Sequence, residues 1–190
     1  MVDHVQREDK ENVEGASVEG LTKTLSSRKD KVREGARRVL VAMGKEAVPA
    51  LIEALKDKDS LTRWEAAKAL SEIADPETAP VLVDALEDED FDIRWLAAEG
   101  LIRMNIRGLE PLLEALELRG DSIWLQEGAH HVFHDLAKGG LRKSLSPVLA
   151  ALEALEPGED MLWKARHELG VEVPVAARQA LEMLRKLKRS

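Results

Sequence analysis

The chain has no cysteine and no tyrosine, and aromatic residues make up only 3% of it. Without cysteine there are no disulfides and no thiolate metal sites. No apolar run approaches the length of a membrane span. The first residues, MVDHVQREDKENVEG, lack the apolar core of a signal peptide, which predicts an intracellular, cytoplasmic protein. A Gly-rich phosphate loop and a G-x-S-x-G elbow are missing, and no spacing groups the Ser, His and Asp residues. No catalytic set is therefore visible, and a non-enzymatic protein is expected. The net charge of −8 argues against general nucleic-acid binding, although a local basic patch is compatible with it.

What is present is Ala, Leu, Glu, Lys and Arg, a composition that favours helix. One stretch organises the rest. PALIEALKDKDSLTRWEAAKAL, from Pro49, is answered by PVLVDALEDEDFDIRWLAAEGL, from Pro80. Pro49, Asp57, Arg63 and Trp64 correspond to Pro80, Asp88, Arg94 and Trp95, a period of 31 residues. That period belongs to stacked helical repeats. Each copy reads as two helices. The first opens with Pro in its first turn, where a missing N–H costs nothing. An Asp-rich turn follows, whose acids suit the start of the second helix. In the second helix Thr62, Ala66, Ala69, Leu70 and Ile73 form one stripe, and Ile93, Ala97, Gly100, Leu101 and Met104 repeat it.

The remaining chain falls in with less regularity. Residues 1–15 are polar and without apolar period and predict a loose tail. Repeats are expected at about 16–44, 47–74, 78–105, 108–138 and 141–188, in a single domain over 16–190. VREGARRVL, from Val32, aligns with TRWEAAKAL, from Thr62, although Glu19 replaces the proline. In the fourth repeat LQEGAHHVF, from Leu125, matches VREGARRVL and puts Gln126 in the arginine position; an alternative register puts Trp124 there. Gly139-Gly140 predicts a helix end, Ser146-Pro147 a helix start, and Glu156-Pro157-Gly158 a break. A short helix over 159–169 and a last helix from Pro174 complete an irregular C-terminal cap.

The prolines, aspartates and arginines at these spacings resemble HEAT repeats, of the short type found in phycobilisome-lyase-like proteins. The resemblance implies an all-α, right-handed α-solenoid of about five stacked helix pairs. It also implies a structural ladder between repeats, formed by Arg33, Asp57, Arg63, Asp88 and Arg94. An arginine fork can hold a carboxylate and free carbonyls of two repeats at once. The family's usual role is protein binding, and some members bind a bilin or a metal.

At about 100° per residue, a second face lies opposite the apolar stripe. It carries Glu34, Arg37 and Arg38, then Trp64 and Lys68, then Trp95, Glu99 and Ile102, with His131 in the fourth repeat. Two tryptophans at equivalent positions suggest an aromatic strip with a charged rim, the anatomy of a protein-binding patch. The leading expectation is a scaffold that binds a partner segment in its concave groove. The competing expectation is that each ring packs within the stack. Glu127, His130 and His134 offer a second possibility. Two His at i and i+4 can share a divalent transition metal, with Glu127 as third ligand; the bland alternative is a polar, His-rich face and no cofactor. By resemblance alone, a tetrapyrrole lyase or chaperone-like module is a third. His167-Glu168 is similar to one His-Glu motif of deoxyhypusine hydroxylase, but that family needs several such pairs and this chain has one.

Overall fold

A computed structural model describes residues 17–153 and 172–187. Among them every regular element is helical and no strand occurs, the class of an α-solenoid. The chain divides into two compact units, Met1–Arg103 and Met104–Ser190.

Among the described residues the first unit holds three helix pairs. Helix α1 (Val18–Thr24) pairs with α2 (Asp30–Met43), α3 (Val48–Ala54) with α4 (Ser60–Ile73), and α5 (Ala79–Ala85) with α6 (Phe91–Met104). Local chemistry sets the starts. Ser17 caps α1, its hydroxyl accepting from the Gly20 N–H at 3.1 Å. Pro49 and Pro80 lie in the first turns of α3 and α5. The Asp-rich turns do not act alike. Asp90 accepts from the Asp92 N–H at 2.9 Å, whereas Asp59 caps no backbone N–H of α4 and instead takes the Thr62 hydroxyl at 3.0 Å.

Equivalent positions also end the second helices. Gly44, Ala74 and Asn105 follow α2, α4 and α6, and all three have positive φ, at 60°, 50° and 56°. Glycine takes this conformation freely; alanine is strained in it.

The predicted stripes form the core: Thr62, Ala66, Ala69 and Leu70 are buried on α4, and Ile93, Ala97, Gly100, Leu101 and Met104 on α6. Ile73 is only partly buried. Helix α2 packs on α4. Helix α6 approaches α4 so closely that a Cβ on Gly100 would lie 3.2 Å from Ser71 Cα and 2.7 Å from Leu82 Cδ1. Small residues thus set the spacing of neighbouring repeats.

The second unit holds α7 (Ile106–Arg119), α8 (Ile123–Leu136), α9 (Arg142–Glu153) and α10 (Val173–Leu187). Two expectations fail here. Gly139-Gly140 does not end a helix: Ala137–Leu141 forms a π turn that carries the chain directly into α9. Nor does Ser146-Pro147 start one, because Pro147 lies inside α9. Proline cannot donate to the Lys143 carbonyl, but the Ser146 hydroxyl does so, at 3.2 Å. Helix α10 packs on both α7 and α9. Arg185 bonds Glu110 and Glu114 at 2.9 and 2.8 Å, and Arg178 bonds Glu117 at 2.7 Å. The tail over 1–15, the break at 156–158 and the helix expected over 159–169 lie outside the described residues.

Candidate functional site

The arginine series links successive repeats. Arg63 reaches from α4 to the following repeat, where its Nε and Nη2 donate to the Asp88 carboxylate at 2.8 and 3.0 Å. Nη2 also meets Glu89 at 3.0 Å, while Nη1 donates to the Asp57 carbonyl at 3.0 Å. The bond to Asp88 raises the basicity of this guanidinium. The Asp57 and Asp88 side chains each fold their own turn, accepting from the N–H two residues on at 2.9 Å.

The first rung is built differently from the second. Arg33 does not bond the Asp57 carboxylate. Its Nε donates to Glu65 on α4 at 3.0 Å, and its Nη2 to Asp30 at 2.7 Å. Arg37 Nη1 donates to the other Glu65 oxygen at 2.7 Å. Glu65 is buried, so its charge requires these two cations. The sequence carried a signal for this: Gly35, Leu96 and Gly128 occupy the positions equivalent to Glu65, and only Glu65 is charged.

One bond recurs in the first four repeats. Arg33, Arg63 and Arg94 each donate Nη1 to the carbonyl six residues back, that of Ser27, Asp57 or Asp88, at 2.7–3.0 Å. Gln126 Nε2 donates to the Gly120 carbonyl in the same way. The register with Gln126 in the arginine position therefore describes the fourth repeat.

The exposed part of the face opposite the stripe is narrow, since Ala67 and Ser71 on α4 and Ala98 on α6 are buried. Glu34 and Arg38 are exposed on α2, and Arg37 is partly buried. Trp64 is partly buried, with the Arg37 guanidinium 5.8 Å from its ring centre. Lys68 pairs with Glu72 at 3.5 Å. Trp95 is 46% exposed, and Phe91, one turn earlier on α6, is 62% exposed. Their ring centres are 6.4 Å apart. Phe91 did not figure among the expected contact residues, although its place beside Trp95 on one helix face was readable. Arg94 lies over the Phe91 ring at 5.6 Å. Glu99 and Ile102 are partly buried on the same helix.

His131 is partly buried on α8 in the second unit. The His130 and His134 rings on that helix have centres 6.1 Å apart. Among the described residues no three His, Asp or Glu side chains gather to hold a metal ion. Glu127, His130 and His134 are thus not brought into the arrangement expected of them. His167 lies outside the described residues.

Residues 18–102 match the family model described as HEAT repeats, somewhat less than half of the chain. Together with the paired helices, this match supports HEAT repeats through the first unit; a phycobilisome-lyase-like subtype does not follow from it. No curated protein matches the sequence. Three crystal structures of engineered proteins are similar to the chain. One is 23% identical, with a TM-score of 0.45, covering 94% of this chain and 83% of that one. Another is 22% identical, with a TM-score of 0.46, covering 94% and 85%. The third is 23% identical, with a TM-score of 0.44, covering 93% and 50%. Among the described residues no helix is long and apolar enough to cross a membrane.

Proposed function

We propose that this protein is a non-enzymatic scaffold that takes up an extended or helical segment of a partner protein on the face of α2, α4 and α6. The carrying observation is the exposed pair of aromatic side chains, Phe91 and Trp95, on one face of α6. Exposed aromatic rings are costly unless something covers them, and such rings are enriched at binding hot spots. Charges of both signs on the neighbouring helices, Arg38 and Glu34 on α2 and Lys68 on α4, supply a polar rim. HEAT repeats commonly serve as protein-interaction scaffolds.

The test is affinity capture from native lysate with identification of the bound protein, followed by binding measurements on the purified pair. Trp64→Ala combined with Trp95→Ala should weaken that binding by more than roughly thirtyfold. Leu118→Ala with Ile123→Ala removes two exposed apolar side chains of the second unit and should leave it unchanged. Equal binding by all three proteins would reject this face.

A further inference from the structure

The first helices of the first two repeats enclose a feature on another surface. An open cleft of about 720 Å³ lies between α1 and α3, within the range of roughly 300–1,000 Å³ typical of ligand pockets. Val18, Pro49, Ala50 and Ala54 contribute apolar surface to its lining. Its charges are of nearly one sign: Glu19, Glu46, Glu53 and Asp57 against Lys23. Lys23 is bound to Glu19 at 2.7 Å, and Lys56 to Glu53 at 2.9 Å. Both pairs are solvent-exposed, so both carboxylates remain open to exchange of partner. Glu46 is exposed as well. None of these acids belongs to the arginine ladder through its side chain.

We propose that this cleft is a second docking site, for a basic segment of a partner protein bearing an apolar residue between lysines or arginines. The apolar lining would take the aliphatic residue and the acid rim the flanking cations. The occupant is chosen by charge. Residues 1–15 of this chain carry five acids against two bases, so their own sign works against their filling it. A second copy's basic C-terminal end, LRKLKRS, fits the sign, but its Arg185 is held by two carboxylates, Glu110 and Glu114, and is more covered than Lys23 or Lys56, so it is less open to exchange.

The experiment uses the full chain and a fluorescently labelled heptapeptide of alternating leucine and lysine, with its glutamate-for-lysine counterpart as control. Anisotropy should show the lysine peptide binding, the glutamate peptide not binding, and affinity falling with added salt. Glu46→Lys with Glu53→Lys should weaken binding at least roughly tenfold, and Ala50→Met, which fills the cleft without changing charge, should weaken it too. Glu172→Lys with Glu182→Lys makes the same charge change at exposed positions of the second unit and should change little. Equal losses in the two charge-reversal variants would reduce the effect to general attraction by an acidic protein and overturn the proposal. So would an absence of binding at low salt, or retention of full affinity in Ala50→Met. Self-association in sedimentation that disappears in Glu46→Lys with Glu53→Lys would assign the cleft to a second copy and likewise overturn it. Circular dichroism melts establish that each variant is folded. Trp64→Ala with Trp95→Ala, on the other face, should bind the peptide as the parent does.

Discussion

Arg63 holds Asp88, in the turn of the following repeat, through two N–H···O bonds of 2.8 and 3.0 Å. Only 8% of Arg63 is exposed, so the pair is shielded and its geometry is that of a fork on a carboxylate. Arg63→Ala strands the carboxylate and the Asp57 carbonyl together. The expected loss is about 1–3 kcal/mol, read as a lower urea midpoint with circular dichroism still helical. An unchanged midpoint would show that the rung is decorative.

A second contact between successive repeats is sensitive to acid. Asp75, in the turn after α4, accepts from the Glu77 N–H at 3.1 Å and from Lys45, in the turn after α2, at 3.1 Å. The Glu77 N–H first, and Lys45 after it, hold this carboxyl below the usual carboxylate range. A depressed folded value stabilises fully above the unfolded value of about 3.9 and loses that contribution as pH falls through the folded value. Asp75→Asn should therefore unfold at lower urea than the parent at neutral pH, with the gap narrowing toward pH of about 3. A gap that is constant with pH would remove the charge from the explanation.

The backbone at the repeat ends gives two substitutions of opposite sign. Ala74 has a φ of 50° where the equivalent residue after α2 is Gly44. Ala74→Gly relieves strain at some cost in unfolded-state entropy, for a net gain of roughly 0.5–1 kcal/mol. Gly100→Ala would press a methyl group against the buried Leu82 side chain and the Ser71 backbone. The overpacking costs about 1–3 kcal/mol, partly offset by alanine's better helix propensity. Thermal melts should move up for the first and down for the second. A stabilised Gly100→Ala would mean that α4 and α6 separate easily.

These positions show which features can be read from sequence. Pro49, Pro80, Arg63 and Arg94 were legible because a repeat states its rules more than once. Gln126 was legible for the same reason, since alignment placed it where three arginines stand. Local rules applied singly did worse. Gly139-Gly140 and Pro147 read as a stop and a start, yet the chain passes through both as helix, with the Ser146 hydroxyl covering the Lys143 carbonyl. Their meaning depends on packing within the second unit, which no local window contains. The partners of Arg33 were not legible in the same way: it takes Asp30 beside it and Glu65 from the next second helix, and no repeat rule points to Glu65, since the equivalent positions are Gly35, Leu96 and Gly128. The exposure of Trp95 beside the cover over Trp64 also required the structure, because helical spacing alone does not tell an open face from a shared one.

The buried Glu65 gives the sharpest test of that first rung. Its side chain is 4% exposed and takes Arg33 at 3.0 Å and Arg37 at 2.7 Å. Arg37 has a buried Nε with no hydrogen-bond partner, so its place depends on Glu65 and on the Trp64 ring. Glu65→Leu installs the residue that the next repeat has at Leu96, yet it leaves Arg37 without its carboxylate. Breaking a buried pair from one side costs about 3–5 kcal/mol. Arg33 fares better, since Asp30 and the Ser27 carbonyl still hold it. Replacing both partners, as Glu65→Leu with Arg37→Leu, should therefore cost less than Glu65→Leu alone, although the double variant has lost more bonds. The comparison is a double-mutant cycle in urea, in which coupled neighbours depart from additivity by about 0.5–3 kcal/mol. Additive losses would mean that Arg37 finds another anion or water when Glu65 is gone, and that the two helices are not held together through this pair.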